Sequence, residues 1–151
     1  MQMAVIEFAR NVLQLCEADT TEVTPDAKDP VIFLMPDQNL DNLGGTMRLG
    51  AFPCALTEGT KARAAYEQDL VMERHRHRYE FNNAYTQRFE EHGMVISGRN
   101  PQRNLAEIVE VKGHPFFVAT QFHPEFKSRP DCPHPLFLAF VKAALAMVEL
   151  P

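Results

Sequence analysis

The 151-residue sequence predicts a mixed α/β fold, and three observations support this class. Apolar residues recur at helical spacing near both ends of the chain, and short runs rich in β-formers lie between them. Glycine and proline residues separate these segments. Helical and extended segments in one chain of this length fit one α/β domain over residues 1–151.

The first half of the chain alternates between helical and extended segments. Residues 3–16 have little polar surface and predict a largely buried helix, whereas residues 17–30 contain two prolines and predict a loop. The other predicted segments are a buried strand at 31–35, a glycine-rich loop at 43–50, a helix at 60–68 and extended chain at 70–81.

The second half predicts a helix, a hairpin and a final helix. Residues 83–92 are expected to form a helix that ends at Gly93, because glycine readily takes the left-handed backbone of a helix end. The other predicted elements are a strand at 95–97, a hairpin of 105–111 and 115–121 with a turn at 112–114, and a helix over 135–148 that begins at Pro135.

Composition excludes several classes of protein. A formal net charge of −5 argues against a general nucleic-acid binder, which needs a basic surface. Three widely spaced cysteines, Cys16, Cys54 and Cys132, favour neither a disulfide framework nor a zinc site and fit a reducing cytoplasm. The sequence shows no signal-peptide pattern and no apolar run that approaches the roughly 18 residues of a membrane span.

The end of the predicted 115–121 strand carries the first candidate for catalysis. His123 and Glu125 are two residues apart, so in extended chain they point to the same side. A carboxylate beside an imidazole fixes its tautomer and stabilises its charged form, as in the base-and-orienter half of a nucleophilic triad. The simpler interpretation is a strand-end histidine next to a surface glutamate.

The segment 73–80 has an unusual alternation of basic and histidine residues. On a strand, Arg74, Arg76 and Arg78 would share one face, and His75, His77 and Tyr79 the other. A solvated charged strand is the simplest interpretation. A metal site of His75 and His77 with His123 is an alternative, although no carboxylate lies at a suitable spacing. We therefore assign no metal ligand.

The residues Gln-Phe-His-Pro-Glu at 121–125 resemble the signature of class I glutamine amidotransferases. The resemblance implies that His123 and Glu125 serve a cysteine on a strand-to-helix elbow, within Gly-x-Cys-x-Gly-x-Gln. Gln2 would be the last residue of that motif, so we expect the chain to begin just after the cysteine and to lack the N-terminal strands. The implied fold is a three-layer, flavodoxin-like domain with a mostly parallel central sheet and helices on both faces.

Two other segments resemble the CTP synthase family: Arg-His-Arg-His-Arg-Tyr-Glu at 74–80 and Asn-Leu-Gly-Gly-Thr-Met-Arg-Leu-Gly at 42–50. The implied roles are binding of the glutamine α-carboxylate by Arg78, binding of its α-amino group by Glu22, glutamine contact by Met1 and Gln2, and participation of Thr46 and Arg48 in a lid and in activation by GTP.

This resemblance implies the glutaminase part of a CTP synthase. L-Glutamine would be hydrolysed and the ammonia passed to a separate synthase domain, which uses ATP and Mg²⁺ to aminate UTP to CTP. The whole enzyme would be a cytoplasmic homotetramer that GTP activates, and no cofactor is implied for this chain itself.

The cysteines leave the activity of the 151-residue chain open. Only Cys132 could approach His123, and a loop thiol is the simpler interpretation of that residue. We therefore expect the chain alone to hydrolyse no glutamine. The alternatives are a non-catalytic glutamine-binding or interaction module, and another class I amidotransferase or hydrolase of the same fold.

Overall fold

The computed structural model describes residues 1–34 and 47–148. Helices and strands alternate along this part of the chain, which confirms the predicted α/β class. The α-helices are α1 (Gln2–Asn11), α2 (Lys61–Tyr66), α3 (Thr86–Glu91) and α4 (Pro135–Val148). The strands are β1 (Ala18–Thr20), β2 (Asp29–Leu34), β3 (Arg48–Leu56), β4 (Leu70–His77), β5 (Tyr79–Phe81), β6 (Met94–Arg99), β7 (Ala106–Val111) and β8 (Val118–Thr120). Short 3-10 helices cover Asn83–Tyr85 and Pro124–Phe126.

Helix α1 packs against the smaller of the two described sheets, which has the order β1-β2-β5. Its buried side chains are Val5, Ile6, Phe8 and Ala9. The sequence predicts this helix over 3–16, but it ends at Asn11. Gln14 takes a φ of 58°, and left-handed backbone cannot continue a right-handed helix. Strand β1 lies within the segment predicted as a loop.

The larger described sheet has the order β4-β3-β6-β7-β8. Strand β3 is absent from the sequence prediction, which places a glycine-rich loop over 43–50, because Gly50 and Pro53 interrupt the strand pattern. Strand β4 pairs along β3, whereas β6 pairs with β3 only at Ala55 and Leu56. Pro53 therefore lies where β3 has a partner strand on one side, a position that tolerates proline.

Most strand pairs in the described residues are antiparallel. Strand β1 runs parallel to β2, and the other pairings are antiparallel. This part of the chain is thus less parallel than the resemblance implies. The connections from β6 to β7 and from β7 to β8 are short, and a parallel neighbour needs a crossover of a dozen or more residues.

Two apolar cores lie on opposite faces of β7. Val109 belongs to the core under α1, which includes Phe8, Phe81 and Phe89. Ile108 points to a second core, whose buried members are Cys54, Leu56, Ala62, Tyr66, Val71, Ile108, Phe122 and Leu136. Strand β7 is therefore buried on both faces. Because Phe122 is fixed in the second core, the residue after it, His123, has an anchored backbone.

The remaining elements follow the predicted order. Residues 83–92 form a 3-10 turn followed by α3, and Gly93 ends the helix with a φ of 99°. The hairpin of β7 and β8 and the helix α4 are confirmed. Helix α2 begins after Thr60, whose hydroxyl accepts from Arg63 N, and ends where Glu67 takes a φ of 55°. In residues 1–34 and 47–148 no helix has the length and apolar character needed to cross a membrane.

Candidate active site

A cleft of about 480 Å³ opens where four parts of the chain meet. They are the start of α1, the turn after β1, the bend between β4 and β5, and the chain after β8. The lining residues are Met1, Gln2, Met3, Glu22, Met47, Arg76, His77, Arg78, Tyr79, Thr120, Gln121 and His123. This volume suits a small-molecule site. Five predicted site residues, namely Met1, Gln2, Glu22, Arg78 and His123, are thus brought together.

His123 and Glu125 form the predicted pair. His123 Nδ1 lies 2.7 Å from Glu125 Oε1, and the Phe126 ring stacks on the imidazole with centroids 4.8 Å apart. His123 N donates to Arg74 O at 2.9 Å, which ties the backbone to β4. Burial alone would raise the pKa of Glu125, but the hydrogen bond from His123 outweighs this effect and lowers it. The carboxylate is therefore kept ionised beside the imidazole.

This geometry prepares His123 for proton transfer. With Nδ1–H donating to the carboxylate, the lone pair of His123 is on Nε2. His123 lines the cleft, whereas Glu125 is outside the lining and contacts the imidazole from behind. The pair can therefore act as a general base and acid whose orientation is set by Glu125.

The cleft has charges of both signs. Arg78 lies in the bend between β4 and β5, and Glu22 lies in the turn after β1. Glu22 N donates to Thr20 Oγ1 at 3.2 Å, which holds that turn. An arginine fork suits a carboxylate, and a glutamate suits an ammonium group. The two residues therefore match the charged ends of a zwitterionic amino acid.

The side chain of Gln2 contacts backbone within the cleft. Its Nε2 donates to Tyr79 O at 3.1 Å. A second amide, Gln121 Nε2, donates to the same carbonyl at 2.8 Å. The sequence interpretation does not assign a role to Gln121. The same i, i+2 spacing that pairs His123 with Glu125 also relates Gln121 to His123, so the signal was present.

The two residues predicted to act in a lid have different outcomes. Thr46 lies outside the described residues. Arg48 is on β3, is 2% exposed, and pairs with Glu80 at 3.2 Å and with Glu107 at 2.7 Å. It does not line the cleft. Its part in activation by GTP stays a prediction.

Beneath the cleft, His75, His77 and Glu107 place one ligand atom each within 4.8 Å of one another. The structure thus supplies the carboxylate that sequence spacing does not. Burial, and next the positive charge of Arg48, lower the pKa of both histidines to about 3. A guanidinium that already holds Glu107 would also oppose a second cation. The 2.8 Å contact between His75 Nδ1 and His77 Nε2 favours a hydrogen bond between neutral rings.

The cysteines lie away from the cleft. Cys54 is fully buried, and burial, followed by the nearby Glu107 carboxylate, raises the pKa of its thiol. Cys16 and Cys132 are exposed. Cys132 lines a different cavity, beside Glu73 and His134. Among the residues that the structure describes around the cleft there is no cysteine.

The model of the family Glutamine amidotransferase class-I matches residues 1–143. The chain is 60% identical over 144 residues to the CTP synthase of Thermomicrobium roseum, a match that covers 95% of this chain and 26% of that protein. It is 62% identical over 146 residues to the CTP synthase of Caldanaerobacter subterraneus subsp. tengcongensis, covering 96% of this chain and 27% of that protein. The chain therefore spans about a quarter of the length of these curated relatives.

Among solved structures, the glutaminase domain of Trypanosoma brucei CTPS with bound acivicin matches with a TM-score of 0.90 and 38% identity. This match covers 97% of the present chain and 57% of that one. A GMP synthase protein from Thermoplasma acidophilum matches with a TM-score of 0.51 at 14% identity, over 70% of this chain and 48% of that one, which bears on the fold alone. On the family match and these similarities, the chain belongs to the class I glutamine amidotransferases.

Proposed function

We propose that this chain is the glutamine-hydrolysing part of a CTP synthase. The observation that carries the proposal is the His123–Glu125 pair, with its 2.7 Å contact, at a cleft that also holds Arg78 and Glu22. The cleft thus combines an oriented base with charges that match an amino acid. The similarity to CTP synthases over nearly the whole chain supports this reaction over other amidotransferases.

The proposed reaction begins with glutamine held by its charged ends. Arg78 binds the α-carboxylate and Glu22 the α-ammonium group, which directs the side-chain amide toward His123. A cysteine thiolate, on a segment joined before Met1, attacks the amide carbon and forms a carbon–sulfur bond. The carbon–nitrogen bond breaks as His123 Nε2 gives a proton to the departing nitrogen.

The second half of the reaction releases glutamate. His123 takes a proton from water, whose oxygen attacks the thioester carbon and displaces the thiolate. Glu125 holds the imidazole and stabilises its charged form in both halves. Backbone N–H groups at the start of α1 contribute partial positive charge near the oxyanion.

The proposal extends to the rest of the enzyme. A synthase domain outside this chain would use the ammonia together with ATP and Mg²⁺ to convert UTP to CTP, and GTP would activate glutamine use. Homotetramer formation and a cytoplasmic location are part of the same proposal. They are tested by the mass of the complete enzyme in solution and by cell fractionation.

A chimera tests the function directly. In the T. roseum CTP synthase, the segment that matches this chain is replaced by this chain, and CTP formation is measured with glutamine or with ammonia. We expect both nitrogen sources to work. His123→Ala should lower the glutamine-dependent rate about 10²- to 10⁴-fold, the usual contribution of acid–base catalysis, and leave the ammonia-dependent rate unchanged.

The matched control is His92→Ala, since His92 is an exposed histidine outside the cleft. It should leave both rates unchanged. A chimera that makes CTP from ammonia but never from glutamine would overturn the proposed function.

A second candidate is a glutamine-binding module without chemistry. The absence of cysteine among the described residues of the cleft favours it for the 151-residue chain on its own. Calorimetry with glutamine and an assay of glutamate release separate the two. Binding without release by the chain, together with no glutamine use by the chimera, would support the module.

A further inference from the structure

We propose that Gln121 is a positioning residue that sets the spacing between Arg78 and His123 and thereby favours glutamine over the shorter asparagine. This inference rests on the proposed function, because it assumes that Arg78 holds the substrate carboxylate.

Gln121 is held rigidly beside the base. It lies two residues before His123 and is 6% exposed. Its backbone N donates to Glu107 O at 2.8 Å, which fixes the chain to β7. Its side-chain Nε2 is 3.0 Å from His77 Nδ1 and donates to Tyr79 O at 2.8 Å. The side chain therefore crosses from the base to the neighbouring strand.

The acceptor of this bond is next to Arg78 in the chain. Tyr79 follows Arg78 directly, and its carbonyl also accepts from Gln2 Nε2 at 3.1 Å. A carbonyl held by two amide donors cannot turn without breaking a hydrogen bond. Gln121 thus links the backbone that carries Arg78 to the backbone that carries His123 through a single side chain.

The substrate spans the same interval. Its α-carboxylate would lie at Arg78 and its amide at His123, so a fixed spacing selects the length of the amino acid. A pocket discriminates one methylene group by about 10- to 200-fold, and a misplacement of about 1 Å can cost about 10²-fold in rate. Loosening the link should weaken this discrimination.

The test is Gln121→Met in the chimera, because methionine keeps the length of the side chain but has no amide. We expect the KM for glutamine to rise about tenfold, a smaller change in kcat, and an equal rate of CTP formation from ammonia, since one hydrogen bond contributes about 1 kcal/mol or somewhat more. The ratio of kcat/KM for glutamine to that for asparagine should fall. Gln121→Glu should not restore the ratio, because a carboxylate cannot donate to Tyr79 O.

Gln87→Met is the matched control. Gln87 is an exposed glutamine that donates to Glu91, away from the cleft, and its replacement should leave KM and the substrate ratio unchanged. Combining Gln121→Met with Arg78→Gln should raise KM little beyond Arg78→Gln alone if Gln121 acts through Arg78.

An unchanged glutamine-to-asparagine ratio in Gln121→Met would overturn the inference, whatever happens to the absolute rates. If the unsubstituted chimera uses no glutamine, the proposed function fails. The inference is then decided by calorimetry on the 151-residue chain. A preference for glutamine over asparagine that Gln121→Met reduces would support it, and equal preferences in the two proteins, or no binding of either amino acid, would overturn it.

Discussion

Arg48 Nη2 lies 2.7 Å from Glu107 Oε1, and both side chains are buried. The same guanidinium pairs with Glu80 at 3.2 Å and lies over the Phe52 ring at 4.7 Å. Glu80 follows Tyr79 in the wall of the cleft, and Glu107 accepts nothing at its second oxygen from the described residues. One cation therefore serves two buried carboxylates directly beneath the proposed glutamine site.

Replacing Arg48 by methionine should strongly destabilise the chain. The substitution leaves two buried carboxylates without their cation, and breaking a buried ion pair on one side costs about 3–5 kcal/mol. Urea unfolding of the 151-residue chain measures the loss. The triple variant Arg48→Met, Glu80→Gln, Glu107→Gln should recover much of it, because no buried charge is then unpaired. Equal stabilities for the single variant and the parent would contradict this account.

Glu80 should make the chain less stable as pH rises. Burial raises the pKa of this carboxyl from 4.5 to about 8, because Arg48 offsets the burial incompletely and Glu107 adds a like charge. Between these two values the unfolded chain has lost the proton that the folded chain retains, so stability falls as pH increases through this window. Glu80→Gln removes this effect.

The measurement is the difference in Tm between Glu80→Gln and the parent chain. This difference should grow in favour of the variant from pH 5 to pH 8.5. Glu22→Gln is a control, since that acid lies in the open cleft. A Tm difference for Glu80→Gln that is constant or shrinks with pH would show that Glu80 is ionised throughout.

Arg78→Gln should weaken glutamine use in the chimera through KM. Removal of a hydrogen bond to a charged group costs about 1.5–3 kcal/mol, or about 10- to 150-fold in affinity. CTP formation from ammonia should not change. Arg74→Gln is the control, because Arg74 is exposed on the same strand and outside the cleft. A similar rise in KM for both variants would indicate that general charge, and not Arg78, attracts the substrate.

How much the sequence predicts depends on whether the information is local. His123 and Glu125 were found because two residues of one segment carry the geometry, and the contact is confirmed. The helix over 135–148 was found because its apolar residues and Pro135 are consecutive signals. Strand β3 was missed, since its partner β4 is distant in sequence and its own glycine and proline hide the pattern.

Arg48 shows the same limit for a single residue. Its sequence neighbourhood suggests an exposed glycine-rich loop. Its burial is set by Glu80 and Glu107, which are 32 and 59 residues away in the chain. Pairing across such distances depends on tertiary packing, which no local pattern contains. The role of Gln121 was missed for the same reason, as Tyr79 is 42 residues away.

The three cysteines should differ sharply in reactivity. Cys54 is fully buried and burial raises the pKa of its thiol, so iodoacetamide should not modify it in the folded chain. Cys16 and Cys132 are exposed and should react. Mass spectrometry of peptides after brief labelling gives the result. Labelling in urea should add Cys54, and labelling of Cys54 at the same rate in native buffer would contradict the packing described for the second core.

Gly98→Ala should destabilise the second core by steric overlap. A Cβ at residue 98 would lie 2.7 Å from both Cys54 Sγ and Ile108 Cγ1 and 2.9 Å from Ile108 Cδ1, closer than real Cβ contacts. Overpacking of a core costs about 1–3 kcal/mol, because β6 or its neighbours must shift. Urea unfolding should show this loss. Ile108→Ala combined with Cys54→Ala should reduce the cost of Gly98→Ala, since all three crowding atoms are then removed. If the cost is the same in that background, the overlap is not its cause.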